Sequence, residues 1–199
     1  MTNKLKSLEN LIDSFEKLPG IGHKTAERLA YSILNMNEYD VNLFAKSLID
    51  TKTQIHPCPI CGVYTENAVC SICENNDREP SVLLVVATSK DVVSLEKITS
   101  KYKYHVLNGE ICMARGIGPS KLRIKQLLAR IEEENIKELI LATNPTIEGE
   151  TTAQYIVNLL ADTDISVSRL AYGLPMGGEI DYLDSLTIDR ALSGRTKLK

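Results

Sequence analysis

The chain has 199 residues, 43% of them hydrophobic and 25% charged, with a formal net charge of −3. This is the composition of a folded globular protein, and it excludes a disordered or low-complexity one. The slightly acidic balance also excludes a nucleic-acid binder that works by bulk positive charge, so any such contact must come from local patches or backbone donors.

The first 55 residues read as helices. Leu5, Leu8, Leu11, Ile12 and Phe15 recur at helical spacing, "LPGIG" (18–22) interrupts them, and Ala26, Leu29, Ala30, Ile33 and Leu34 form the stripe of a second helix. A third run, about 40–55, carries Val41, Phe44, Leu48 and Ile49. Residues 57–80 are rich in turn formers and hold four of the five cysteines. From Ser81 the texture changes. "SVLLVVAT" (81–88), "YHVL" (104–107), "ELILAT" (138–143) and "ISVSRL" (165–170) read as strands. They alternate with helices expected over about 91–100, 119–134 and 149–161. Such alternation implies an α/β domain with a mainly parallel sheet. A Gly-rich loop, "GLPMGGE" (173–179), precedes one short helix at about 185–193; it lacks the Gly-x-x-x-x-Gly-Lys spacing of a P-loop. The expected class is therefore α+β in several parts: 1–56, 57–80, 81–175 and 176–199.

No apolar run approaches the roughly 20 residues of a membrane span. The N-terminal "MTNKLKSLENLIDSF" is interrupted by acids, unlike the apolar core of a signal peptide. A cytoplasmic protein is expected. Basic and acidic side chains number seven and seven over residues 1–56, one and four over 57–80, and fifteen and fifteen over 81–199. No segment is a basic arm. Weak protomers whose sites add up in an oligomer fit this better than a tight monomeric binder.

Three constellations carry chemistry. Cys58-x-x-Cys61 and, eight residues on, Cys70-x-x-Cys73 give two knuckles and four thiolates, the donor set of a closed, structural zinc. Cys112 is left over, and a semi-buried thiol is expected there. In "LPGIGHKTAERLA" (18–30), Gly20 and Gly22 permit a tight turn and a close backbone approach. The amides that open the following helix suit a phosphate. Lys24 and Arg28, four apart, share the helix face beside that turn. This is the helix-hairpin-helix pattern and points to sequence-independent contact with a DNA backbone; the alternative is a helical hairpin whose cations are merely solvated. A second Gly-Ile-Gly, in "RGIGPSKLRIKQLL" (115–128), reads as a helix start with the same turn chemistry, and Arg115, Lys121, Arg123 and Lys125 as a solvated face. Third, "LATNPTIEGET" (141–151) puts Glu148 and Glu150 at the carboxyl end of a parallel strand, where α/β folds place ligands. Two acids in a helix's first turn are equally well explained by its dipole.

In this order, "LPGIGHKTAERLA", "CPICGVYTENAVCSIC", "ATNPTIEGETTAQYI" and "RLAYGLPMGGEIDYLD" resemble the RecR family of bacterial recombination mediators, over nearly the whole chain. The resemblance implies a helix-hairpin-helix DNA-binding region (1–56), a four-cysteine zinc finger (57–80), a Toprim domain (81–175) and a C-terminal oligomerisation or partner tail (176–199). Toprim enzymes carry a glutamate after the first strand and an Asp-x-Asp ahead of x-Glu-Gly-Glu. Here those positions are Ala87, Asn144 and Thr146, and only Glu148 and Glu150 match. A magnesium-dependent Toprim nuclease or other phosphoryl-transfer enzyme is thus the alternative, and a non-enzymatic mediator the main expectation. The resemblance further implies one zinc ion per chain, a tetrameric ring, and the partner RecO, with RecF in some bacteria, in loading RecA on gapped single-stranded DNA. Lys24 and Arg28 match the family's DNA-contacting basic residues, beside the turn that Gly20 and Gly22 form, and Asp91, Glu148 and Glu150 match its partner-binding edge. Ala87 departs from the glutamate that the family commonly keeps there.

Overall fold

The computed structural model describes residues 5–197, so residues 1–4 and 198–199 of the first and last expected segments lie outside the described residues. The chain divides into two compact units, one ending at Ile55 and one beginning at His56.

The first unit holds α1 (Lys6–Glu16), α2 (His23–Leu34) and α3 (Glu38–Gln54). Ile12, Ala26 and Ala30 are buried together, ringed by Leu8, Leu11, Phe15 and Ile21. Two alanines at an i,i+4 interval bring α2 close to α1, so the Leu18–Gly22 turn sits on a small rigid hairpin. At α3, Asn37 caps the helix by accepting from the Asp40 amide at 2.9 Å. None of its residues is buried, and Leu43, Phe44, Leu48 and Ile49 stand exposed.

The second unit opens with a ribbon: β1 (His56–Pro57) pairs antiparallel with β2 (Tyr64–Thr65), and α4 (Ser71–Glu74) follows. Then come β3 (Glu79–Val86), α5 (Ser89–Glu96), β4 (Tyr102–Val106), α6 (Ile124–Glu133), β5 (Glu138–Ala142), α7 (Ile147–Leu159), β6 (Ser166–Arg169) and α8 (Ser185–Ser193). The four longer strands form one parallel sheet in the order β4-β3-β5-β6. Parallel pairing requires crossovers, and α5, α6 and α7 supply them.

β3 is buried on both faces, as its unbroken apolar run predicts. Leu83 and Val85 join Leu127, Ile131, Leu139, Leu141 and Ile156 in the core beneath α6 and α7. Leu84 and Val86 face the other way and pack with Val92, Tyr104, Val106 and the cysteine ribbon. The ribbon is thus part of the cover of the sheet's second face. A buried Arg78 tightens the same face: its guanidinium meets both oxygens of Glu96 at 2.7 Å and donates to Tyr102 O at 2.7 Å.

One expected helix starts later than its sequence suggests. Pro119–Lys121 forms a single 3-10 turn, Leu122 is extended, and α6 begins at Ile124. Leu122 is drawn into the core under α6, which breaks the helical path. The tail expectation of a helix over about 185–193 coincides with α8.

Candidate functional site

The four knuckle cysteines converge. Their sulfurs all lie within 4.8 Å of one another, the one such cluster of three or more metal-competent groups among the described residues. Cys61 and Cys70 Sγ are 3.4 Å apart, and Cys58 and Cys73 Sγ 4.0 Å. Zinc–sulfur bonds of about 2.3 Å in a tetrahedron separate the sulfurs by about 3.8 Å, so the cage has the right size. Burial pushes Cys70 up to about 11. Cys61 is raised further by its contact with Cys73 and by burial. Cys58 is also pushed up by burial, but backbone donors of Cys61, Cys70 and Ile60 outweigh that and bring it to about 6. Four sulfurs in a closed set leave no open coordination position, so this is a structural zinc centre.

In the hairpin of the first unit, Gly20 has φ +82° and Gly22 caps α2 with φ −89° and ψ 169°. A methyl group added to either glycine would meet nothing within 4 Å. The approach to the turn is open, and no side chain caps α2. Lys24 and Arg28 are exposed one turn apart. Sequence reasoning passed over His23, the first residue of α2. Its Nδ1 contacts the Glu16 carboxylate, and that hydrogen bond raises its pKa above the ordinary value.

The second Gly-Ile-Gly repeats the same dihedrals: Gly116 has φ 66°, and Gly118 has φ −91° and ψ 173°. Single 3-10 turns, Met113–Arg115 and Pro119–Lys121, replace the flanking helices. The expected solvated basic face is only partly present. Lys121 and Lys125 are exposed. Arg115 donates to Cys112 Sγ at 3.2 Å, and Arg123 turns toward the ribbon. Cys112 is therefore buried and partnered.

At the carboxyl edge of the sheet, Ala87 follows β3 and is buried. Asp91 lies in the first turn of α5, where its Oδ2 accepts from the Thr88 amide at 2.7 Å and the Thr88 hydroxyl at 3.0 Å. Thr146 caps α7 by accepting from the Gly149 amide at 3.1 Å. Asn144 is held by Glu110, whose Oε1 accepts from its backbone and side-chain amides at 2.8 and 3.0 Å. Glu110 is a further acid of this edge that motif reasoning missed, because it lies in the loop after β4, remote in sequence. Glu148 is half-buried, with Cys112 Sγ 3.7 Å from its carboxylate.

Glu150 is committed inside the chain. Its Oε1 accepts from Arg190 at 2.8 Å, pairs with Arg169 at 3.2 Å and contacts the Tyr172 hydroxyl. Both guanidiniums also lie over the Tyr172 ring, Arg190 at 4.5 Å and Arg169 at 5.4 Å from its centroid. Burial works to raise the Glu150 carboxyl, but these donors outweigh it and hold it below the usual carboxylate range. The cluster ties α8 and the loop before it to the start of α7.

The family models agree with this division of chemistry. The RecR helix-hairpin-helix model matches residues 8–52, and the RecR zinc finger model, defined by its four cysteines, matches residues 55–75. The Toprim domain model matches residues 81–171, and the RecR C-terminal model residues 173–196. A protein of Staphylococcus haemolyticus (strain JCSC1435), "Recombination protein RecR", is 50% identical over 193 residues, covering 96% of this chain and 97% of that protein. The chain belongs to the RecR family of recombination proteins. Among the described residues, no helix is long and apolar enough to cross a membrane.

Proposed function

We propose that this RecR-family chain is a non-catalytic mediator of recombinational repair, which grips DNA through its backbone phosphates and brings it to protein partners. The observation that carries the reading is the Leu18–Gly22 turn. Its glycines face open space, the helix behind it has no side-chain cap, and Lys24 and Arg28 stand beside it. Amide donors at a helix start, with two cations on the adjoining face, hold phosphate without reading bases. Gly20, Gly22, Lys24 and Arg28 are the proposed DNA contacts. With the balance of charge in this unit even, affinity comes from several copies acting together. We take the assembly to be a tetrameric ring, and the exposed Leu43, Phe44, Leu48 and Ile49 of α3 support association.

The partners are RecO and, in some bacteria, RecF, and the outcome is displacement of single-strand-binding protein and loading of RecA at gaps in cytoplasmic, nucleoid DNA. Asp91 and Glu148 offer the acidic partner edge, and Glu150 supports it by holding the C-terminal segment against α7. A non-catalytic role is supported by the side chains at this edge. Ala87 supplies no carboxylate, Asn144 is engaged by Glu110, and Glu150 is shared between two arginines.

The test is charge reversal. Lys24→Glu/Arg28→Glu should fold normally and bind single-stranded DNA far more weakly in fluorescence anisotropy. The slope of log K against log salt should become shallower by about 0.7 for each phosphate that is no longer neutralised. Binding with wild-type strength and salt dependence would remove these two residues from the interface. Magnesium-dependent cleavage of labelled DNA, abolished by Glu148→Ala, would replace the mediator reading with the nuclease one.

A further inference from the structure

The two cysteine knuckles are held in different ways. The second closes on itself: Cys70 O accepts from the amides of Cys73 and Glu74 at 3.0 and 3.1 Å, as α4 begins. The first has no helix behind it. Of its four carbonyls, only Cys58 O is satisfied locally, by the Gly62 amide at 2.9 Å. Cys61 O accepts from the Val106 amide of β4 at 2.7 Å. Pro59 O and Ile60 O both accept from one group, Nη2 of Arg123, at 3.0 and 3.3 Å. Three of the four carbonyls that shape this ligand loop are therefore engaged from the Toprim domain.

Arg123 is itself fixed at its backbone. Its amide donates to Leu107 O at 3.0 Å, and its carbonyl accepts from His105 Nε2 at 2.9 Å. The chain also makes room for its side chain. Gly62, with φ +83°, sits where an added Cβ would come within 2.9 Å of Arg123 Nε and 3.1 Å of Val106 O. Charge points the same way: one zinc dication and four thiolates sum to a dianion, and the guanidinium is a cation on the knuckle that supplies two of those thiolates.

We propose that Arg123 is a positioning residue for the zinc centre, holding the Cys58–Cys61 knuckle in its ligating shape from outside the ribbon and so slowing loss of the metal. Removing groups that orient ligands in this way typically weakens metal affinity by about 10- to 100-fold. Arg123 touches no ligand sulfur in this role; it acts through the carbonyls between the two cysteines.

The experiment follows zinc release from the full-length, zinc-loaded protein into a chromogenic chelator, together with amide exchange of the sheet. Arg123→Met, which keeps bulk and loses the donors, should release zinc about 10- to 100-fold faster, the usual effect of removing a ligand-orienting group. β3 and β5 should stay protected. Arg123→Lys, retaining charge and one donor, should fall between Met and wild type; if Arg123→Met fails to fold, this variant decides alone. Release as slow as wild type in the folded variant would overturn the proposal. So would faster release that coincides with loss of protection across β3 and β5, because the metal would then be leaving through general unfolding.

Discussion

Gly149→Ala gives opposite signs under local and tertiary reasoning. Gly149 lies in the first turn of α7, where exchanging glycine for alanine would by helix propensity alone stabilise by up to about 1 kcal/mol. Its surroundings forbid that gain. An added Cβ would stand 2.0 Å from Asn144 O, 2.9 Å from Asn144 C and 3.0 Å from Asn144 N, all backbone atoms. The loop must retreat by more than roughly 1 Å to reach an ordinary contact. That retreat pulls on the Thr146 cap, the Thr143 hydroxyl bonded to Gly149 O at 2.9 Å, and the Asn144–Glu110 pair. Overpacking costs about 1–3 kcal/mol, and removal of a cap about 1 kcal/mol. Set against the propensity gain, the net destabilisation is about 1–3 kcal/mol. Urea unfolding of the zinc-loaded protein should show the midpoint falling by about 1 M, for a slope of about 2–3 kcal/mol/M. A variant as stable as the parent, or more so, would refute the steric argument.

Removing zinc with a chelator should strip amide protection from residues 56–75 while β3 and β5 keep theirs, and restoring zinc should restore it. Retained protection at Val63, Cys73 and Gly62 would show that the ribbon folds without metal. His105, fully buried, has its pKa lowered to about 4, chiefly by burial. The folded protein therefore refuses a proton that the unfolded chain accepts below about 6.5, and stability falls as pH drops from 6.5 toward 4, by about 3 kcal/mol. His105→Gln should flatten that part of the stability–pH curve, and an unchanged slope would exclude His105 as its source. Arg190→Ala removes the α8 side of the Glu150 cluster and should raise the rate of proteolysis within residues 173–184 severalfold. Equal cleavage rates would mean that other contacts hold the tail.

Several features were written locally. Knuckle spacing alone predicts the metal site, because two ligands per tight turn and a short ribbon leave the four thiols little choice of partner. The Gly-Ile-Gly turn and the run 81–86 were equally legible, since positive φ and burial on both faces each select residue types directly. Other features depended on residues far apart in the chain. Glu110 reaches Asn144 across 34 residues, Glu150 meets Arg190 across 40, and Arg123 meets Pro59 across 64. No periodicity encodes such pairs. The same limit explains why Arg123 reads from its neighbours as a solvated cation, and why α6 starts after Leu122 is drawn into the core. Glu150 is the clearest case. By itself the sequence determined that an acid would stand in the first turn of α7, and the helix dipole accounts for that. Only the tertiary fold, which sets β6 beside β5 and brings α8 back onto that turn, decided that two arginines and a tyrosine would claim its carboxylate.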